Sequence, residues 1–578
     1  MEKRIETDIL VVGAGGAGCF AAIKAHERGA RVIVVNKVPW LGGVTMIARA
    51  AYSAAMGISD PRDTADVHFH DSLRGGNFMG NQKVLKTMCH ENLEATRDLI
   101  QWGAAFRKLP DGTLDQGTRP GAGHTYPRSV WVAGDLSHIG KTIMDVLQAE
   151  MKRRPIEVIS NVMIIDLLTS HDGITGALGL NWRDGTLMVF NAKAVVMATG
   201  GTGHLYRYTD NPTYMTGDGY AAMYRAGVEL VDMEFCDFQF GLYHPPQMFG
   251  YPPNCGIWLA HGGMLLNKDG ERFFKKYIPH RANEGECLRT ELSRAAVSEI
   301  LEGRGSPHGM VYLNCSNVPQ DWMNKARGDM VSHFKRAGID LTWQPMEVAP
   351  GNHTYLGGAR IDEHTESTTL KGLFAAGEAA GGWGGANRLE GNGVASALGL
   401  GVAAGKSAAE RVKNISMPTI NEEQVNAVRK KIEKLLAHKE GVKFQSVKNQ
   451  VQELMQQNVW LRRDETGLTT TLRELDKIEG DSLSKLCVPG GREIQRYLRL
   501  RETLEAINIV ECGQIVTRAA LTRKESRGSH QRSDFPNTDS RNWLRNIIIR
   551  REKGEMKVKT EPVVVTEVPL PGAQGGDG

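Results

Sequence analysis

The first apolar run of the chain, Ile9-Leu10-Val11-Val12, is rich in Ile and Val, stops at Gly13, and passes through Ala14-Gly15-Gly16-Ala17-Gly18 into the Ala-rich stretch Cys19–Arg28. That order predicts a strand, a tight glycine turn and a helix. A second run, Arg31-Val32-Ile33-Val34-Val35, predicts the next strand. Apolar positions Val84, Leu85, Met88, Leu93, Leu99 and Ile100 recur at helical spacing between Asn81 and Trp102, and Ile139–Met151 repeats the pattern. Ile156–Leu168, Ala177–Leu180, Leu187–Asn191 and Ala194–Ala198 then read as a strand series ending at Thr199-Gly200-Gly201. A helix over Tyr220–Ala226, with Asp218 as its expected cap, leads to a strand toward Phe235.

From Cys236 to about Pro350 the pattern changes to prolines, aromatics and mixed helix and loop, which reads as a separate substrate-covering domain. Glycine-rich sequence returns at Gly357-Gly358, at Gly372-Leu373-Phe374-Ala375-Ala376-Gly377-Glu378 and at Ala386–Gly393. Past Lys406 the chain is charged and helical, with Ile432, Leu435 and Leu436, and later Leu498, Leu500, Leu504 and Ile507, on amphipathic faces. A hairpin of Ile547–Ile549 with Val563–Val565 is expected before the Gly- and Pro-rich tail Pro569–Gly578. The divisions are residues 1–235, 236–350, 351–410 and 411–578, the first and third forming one domain.

The glycines carry the first chemical reading. In G-x-G-x-x-G, Gly13 permits the turn, Gly15 lets backbone approach a pyrophosphate, and Gly18 lets helix pack on strand. Asn36, with Lys37 beside it, stands about 20 residues on, where such folds place the ribose contact. Asn is neutral where the usual residue is acidic, which weakens a simple NAD reading. Ala198, Thr199 and Gly200 offer a second backbone contact, and Glu378 a carboxylate for a ribose hydroxyl at a third strand end. Arg119–Arg128 reads either as a loop near an active site or as an ordinary solvated loop. Arg289 and Arg294 sit five apart on a helix, a spacing that also suits a surface.

At 578 residues the chain is long enough for about three domains and a buried cofactor. Seventy basic against 66 acidic side chains leave a net charge of +4 with no dense basic run, which argues against nucleic acid. Eight scattered cysteines contain no C-x-x-C, so no zinc site, iron–sulfur cluster or disulfide framework is expected in this chain. The first strand begins so near Met1 that no signal peptide is expected, and no apolar run is long enough to span a bilayer. A cytoplasmic setting fits these features.

Together Val12–Gly18, Ala198–Gly201, Thr216–Gly219, Gly372–Glu378, Ala386–Leu389 and Glu525–Pro536 resemble the flavoprotein subunit of the succinate dehydrogenase and fumarate reductase family, which includes L-aspartate oxidase and the adenylylsulfate reductase flavoprotein. The resemblance covers nearly the whole chain. It implies an α/β fold: a Rossmann-like FAD-binding domain, an inserted α+β capping domain and a C-terminal helical domain with a terminal hairpin and flexible tail. It implies extended FAD, with Gly13, Gly15 and Gly18 at the pyrophosphate, Gly43 and Thr45 in the flavin-side loop, Asp218 and Glu378 on polar cofactor atoms, and Ser396 near the ring. Membrane-bound relatives attach flavin through a histidine where this chain has Val44, which has no nucleophilic nitrogen, so the FAD is expected to be non-covalent and of lower potential.

The resemblance further implies hydride exchange between flavin and a carboxylate-bearing substrate. His353 and Arg388 match substrate-binding residues, and Arg289 the proton-transferring arginine, although arginine is a poor acid with a pKa above about 12. The family's Q-Y-H-P-T segment aligns Gln239 with its histidine, or His244 if an insertion is allowed, and His244 is the expected site residue. The segment that supplies a substrate-binding Thr and Glu is shortened to Leu259–Gly263. An iron–sulfur electron-transfer subunit is the expected partner, bringing the chain to the inner face of a membrane through such partners. Adenylylsulfate reductase-like or L-aspartate oxidase-like chemistry, or a flavin acting as a relay without a substrate, are the alternatives.

Overall fold

The computed structural model describes residues 1–39, 42–49, 51–117, 123–133 and 138–570. The Val- and Ile-rich runs are buried on both faces because helices cover both sides of their sheet. That sheet runs Glu157–Ser160, Val32–Asn36, Glu2–Val12, Leu187–Met197, Gly173–Asn181 and Val162–Ser170, and Leu373–Ala375 also pairs with Leu187–Met197. Its registers position everything that follows. Val12 lies opposite both Val35 and Met197, and Met197 lies opposite Ala375, all in parallel pairs. Three glycine-edged junctions far apart in sequence therefore emerge side by side at the carboxyl ends of parallel strands, where α/β sheets bind ligands.

The run Ile156–Leu168 is not one strand. Asn161 adopts a left-handed conformation (φ 65°), which asparagine tolerates better than most residues, and splits it. The first piece pairs parallel with Val32–Asn36, the second antiparallel with Gly173–Asn181. Helices form at Gln82–Gln101 and Ile139–Arg153 as their periodicity predicts. Helix Gly16–His26 lies against helix Asn392–Val412 so closely that a Cβ on Gly401 would stand 2.6 Å from the Ala17 carbonyl oxygen. Helix Asp218–Arg225 is capped by the backbone of left-handed Gly217, not by the Asp218 side chain, whose carboxylate is engaged elsewhere.

The cap has a hydrophobic core of its own, including Phe240, Trp258, Leu313, Phe334 and Val348. Its sheet orders Cys236–Leu242, Met346–Tyr355, Val311–Asn314 and Met264–Leu266, all antiparallel. The C-terminal helices, among them Phe444–Asn458 and the 30-residue Glu493–Thr522, share one continuous core with the nucleotide-binding part.

The terminal hairpin is Arg545–Glu552 with Glu555–Pro562, so its second strand precedes Val563–Val565. The turn residues Lys553 and Gly554 both take positive φ, as a two-residue hairpin turn requires. The alternation Glu555-Met556-Lys557-Val558 presents one polar face, which a search for apolar runs passes over. Ile548 and Ile549 pair with Val231 and Leu230, while Arg551 and Arg545 reach Glu511 and Arg523 at the long helix Glu493–Thr522, so the hairpin joins strand Leu230–Val231 to the helical part. The tail from residue 571 lies outside the described residues. Among those described, no helix is long and apolar enough to cross a membrane.

Candidate functional site

A cavity of about 540 Å³ opens at the aligned strand ends. Gly13, Gly15, Ala198, Thr199, Gly200, Gly43 and Thr45 line it from the main sheet and the loop behind it. Gly13 has φ 106°, and a Cβ there would stand 2.2 Å from the Ala198 oxygen; one on Gly18 would meet the Gly13 oxygen at 1.9 Å. Gly18 therefore acts by close packing and does not itself line the cavity. Thr45 Oγ1 accepts from the Gly16 amide at 3.1 Å, tying the loop of Gly43 and Thr45 to the start of helix Gly16–His26. This cradle, walled by backbone that any side chain would obstruct, fits an extended dinucleotide.

Polar residues at one end are held to one another. Asn36 donates to the Val38 oxygen at 3.0 Å. The Lys37 ammonium lies 2.6 Å from Asp218 and 2.9 Å from Glu505, and Asp218 also accepts from Thr216 and Asn508. Burial alone would depress the Lys37 pKa, but the two carboxylates hold it above its usual value. Lys37 and Asp218 thus shape the floor as a neutralised pair. Glu378 lines the cavity and accepts from the Tyr355 amide at 2.7 Å. Burial pushes its carboxyl up to about 7. Ser396 is buried in helix Asn392–Val412, donates to the Gly393 oxygen at 2.9 Å and does not line the cavity.

The other end is cationic. Arg289 opens helix Arg289–Glu299 of the cap, and Arg388 sits just ahead of helix Asn392–Val412. Both reach one carboxylate, Asp237 Oδ2, at 2.8 and 3.0 Å. Asp237 is buried, which would raise its pKa, but Arg289, Arg388 and His353 hold it below the usual carboxylate range. Arg289 also donates to Gln239 Oε1 at 3.0 Å, and His353 Nδ1 lies 2.7 Å from Asp210. Arg289, Arg388, His353, Asp210 and Gln239 all line the cavity.

His244 does not join them. In strand Cys236–Leu242, Gln239 pairs with Gly351 just past a register shift between Asp237 and Phe238, and it lines the cavity. His244 lies beyond the strand end, stacked on His308 with ring centroids 3.9 Å apart. Of the loop Arg119–Arg128, residues 119–122 lie outside the described residues. In its remainder Gly123 and Thr125 are exposed, whereas Arg128 is buried against Asp63 and Asp71, and His124 lies 2.9 Å from the Glu390 oxygen. Asp237 and Asp210 escaped sequence reasoning. Two polar residues, Asp237 and Gln239, two apart in an otherwise apolar strand, were the available signal.

The FAD binding domain family matches residues 8–394, and the fumarate reductase flavoprotein C-term family matches residues 448–574. One subunit of the fumarate reductase (CoM/CoB) from Methanothermobacter marburgensis is 37% identical, covering 96% of this chain and 98% of that protein. Among solved structures, Sdh1 of Mycobacterium smegmatis in complex with UQ1 superposes with a TM-score of 0.88 at 32% identity, covering 98% and 95% of the two chains. The E. coli quinol fumarate reductase flavoprotein superposes at 0.89 with 27% identity, covering 99% and 98%.

Proposed function

Since the chain belongs to the flavoprotein-subunit family of fumarate reductase and succinate dehydrogenase, which are FAD-dependent oxidoreductases, we propose that it reduces an unsaturated carboxylate such as fumarate or oxidises the saturated counterpart. Bound FAD would supply hydride exchange at its N5 atom. The observation that carries this reading is the arginine pair, Arg289 and Arg388, lining the same cavity as the glycine cradle.

Guanidinium groups present planar N–H donors that match a carboxylate. Arg388 and His353 would clamp the acid, with Asp210 fixing the imidazole through Nδ1. Arg289 would hold the migrating proton's position, with Asp237 and Gln239 orienting its guanidinium. The cofactor would be held by Gly13, Gly15, Gly43, Thr45, Ala198, Thr199, Gly200 and Glu378, and Val44 offers no nucleophile for a covalent link.

The eight cysteines are free, and among the described residues none forms a cluster set, so electrons would pass to an iron–sulfur protein partner. To test the reading, the purified holoprotein is reduced with dithionite and offered fumarate. Prompt return of the oxidised flavin spectrum is expected. Reoxidation by no unsaturated acid would instead leave the flavin as a relay. Acid precipitation should release the yellow cofactor into the supernatant; flavin remaining with the pellet would refute non-covalent binding.

A further inference from the structure

Four lysine and arginine side chains line the cavity, and three are held by carboxylates: Lys37 by Asp218 and Glu505, Arg289 and Arg388 by Asp237. Arg49 differs. Among the described residues it has no carboxylate partner; its guanidinium lies 4.3 Å from the Tyr251 ring centroid and donates to the Tyr251 hydroxyl at 3.1 Å. A guanidinium laid on a ring face keeps in-plane donors for a planar anion. Arg49 comes from the flavin-side loop and Tyr251 from the cap, so this contact joins the cavity's two walls.

Charge supports a ligand role. Arg289 and Arg388 share the Asp237 carboxylate, and His353 lies against Asp210, so each of these groups already has an acidic neighbour. The shortened stretch Leu259–Gly263 does not line the cavity: Leu259 is buried and His261 stacks on Trp322 with centroids 3.7 Å apart. His333, stacked on Tyr251, is held below its ordinary pKa by burial and by Arg49, and so adds no charge at neutral pH. Arg49 is thus the one cavity-lining lysine or arginine without a carboxylate partner among the described residues.

We propose that Arg49 binds the distal carboxylate of a dicarboxylic substrate whose proximal carboxylate is held by Arg388 and His353, so that the substrate bridges the flavin-side loop and the cap. This rests on the reading that the cavity takes a carboxylate substrate. The test titrates the oxidised holoprotein with succinate and with butyrate, following the flavin absorbance, in the wild type, Arg49→Gln and Arg49→Lys. Succinate should bind the wild type about tenfold tighter or more than butyrate, as a second charged contact implies. Arg49→Gln should erase that ratio, with butyrate affinity within about twofold and FAD content unchanged, and Arg49→Lys should restore part of it. Equal weakening of both acids, loss of FAD, or no discrimination by the wild type would overturn the proposal, as would absence of any spectral response. If the binding pattern holds but fumarate never reoxidises the flavin, the catalytic reading fails and the Arg49 assignment stands.

Discussion

Two of the buried arginine–carboxylate clusters, those of Arg523 and of Asp237, differ in what they leave unsatisfied. Every guanidinium nitrogen of Arg523 has a partner: Glu234 at 2.7 Å, Glu525 at 3.1 Å, and the Trp543 and Arg545 oxygens at 3.0 and 2.8 Å. Glu525 is further held by Arg527 and by the Asp539 amide. Around Asp237 the geometry is looser. Asp237 Oδ1, Arg289 Nε and Arg388 Nε are buried without a well-directed hydrogen bond among the described residues, although Arg388 Nε lies within ion-pair distance of Oδ2. The Arg523 cluster leaves one acceptor, Glu234 Oε2, without a partner among the described residues but no Arg523 donor, whereas a cluster that keeps donors at a cavity wall is poised for a ligand.

The largest effect should follow from opening the Arg523 cluster. Arg523→Leu strands Glu234 in the interior, and removing one partner of a buried pair costs about 3–5 kcal/mol. A lowered denaturation midpoint with loss of bound FAD is expected; unchanged stability would erase the distinction. Arg388→Ala should do the reverse, lowering the rate of fumarate-driven reoxidation about 10²–10³-fold with FAD retained, as removal of a positioned donor does elsewhere. Loss of flavin in that variant would reassign Arg388 to the cofactor.

A smaller effect separates the cavity by pH. Burial raises the Glu378 carboxyl from 4.5 to about 7, so the folded apoprotein binds more protons than the unfolded chain across that window. Stability from this group is present below pH 4.5 and is lost as pH rises through 7. Glu378→Gln apoprotein should therefore lose less stability between pH 5 and pH 8 than the wild type, measured by thermal denaturation at the two values. Least of all, His244→Ala should leave reoxidation rates within about twofold, because its ring packs on His308 outside the cavity.

What the sequence made legible were features with local signatures. The strands at Ile9–Val12 and Val32–Val35, the glycine turns and the separate cap follow from apolar periodicity and glycine placement. Arg289, His353 and Arg388 were reached through resemblance, not periodicity. Asp237 was hidden because its importance lies in contacts with Arg289 and Arg388, 52 and 151 positions away, which only tertiary packing creates. The hairpin was misplaced for a related reason: its outer strand is half polar, and its pairing with Leu230–Val231 is invisible in local pattern.

The strand Leu187–Met197 takes Leu373–Ala375 as a partner on its final residues, and the junction after that partner completes the cradle. During synthesis this wall does not exist until about two-thirds of the polypeptide has left the ribosome. A cofactor that needs all three strand ends can accordingly find them together only after residue 375 has been made and docked.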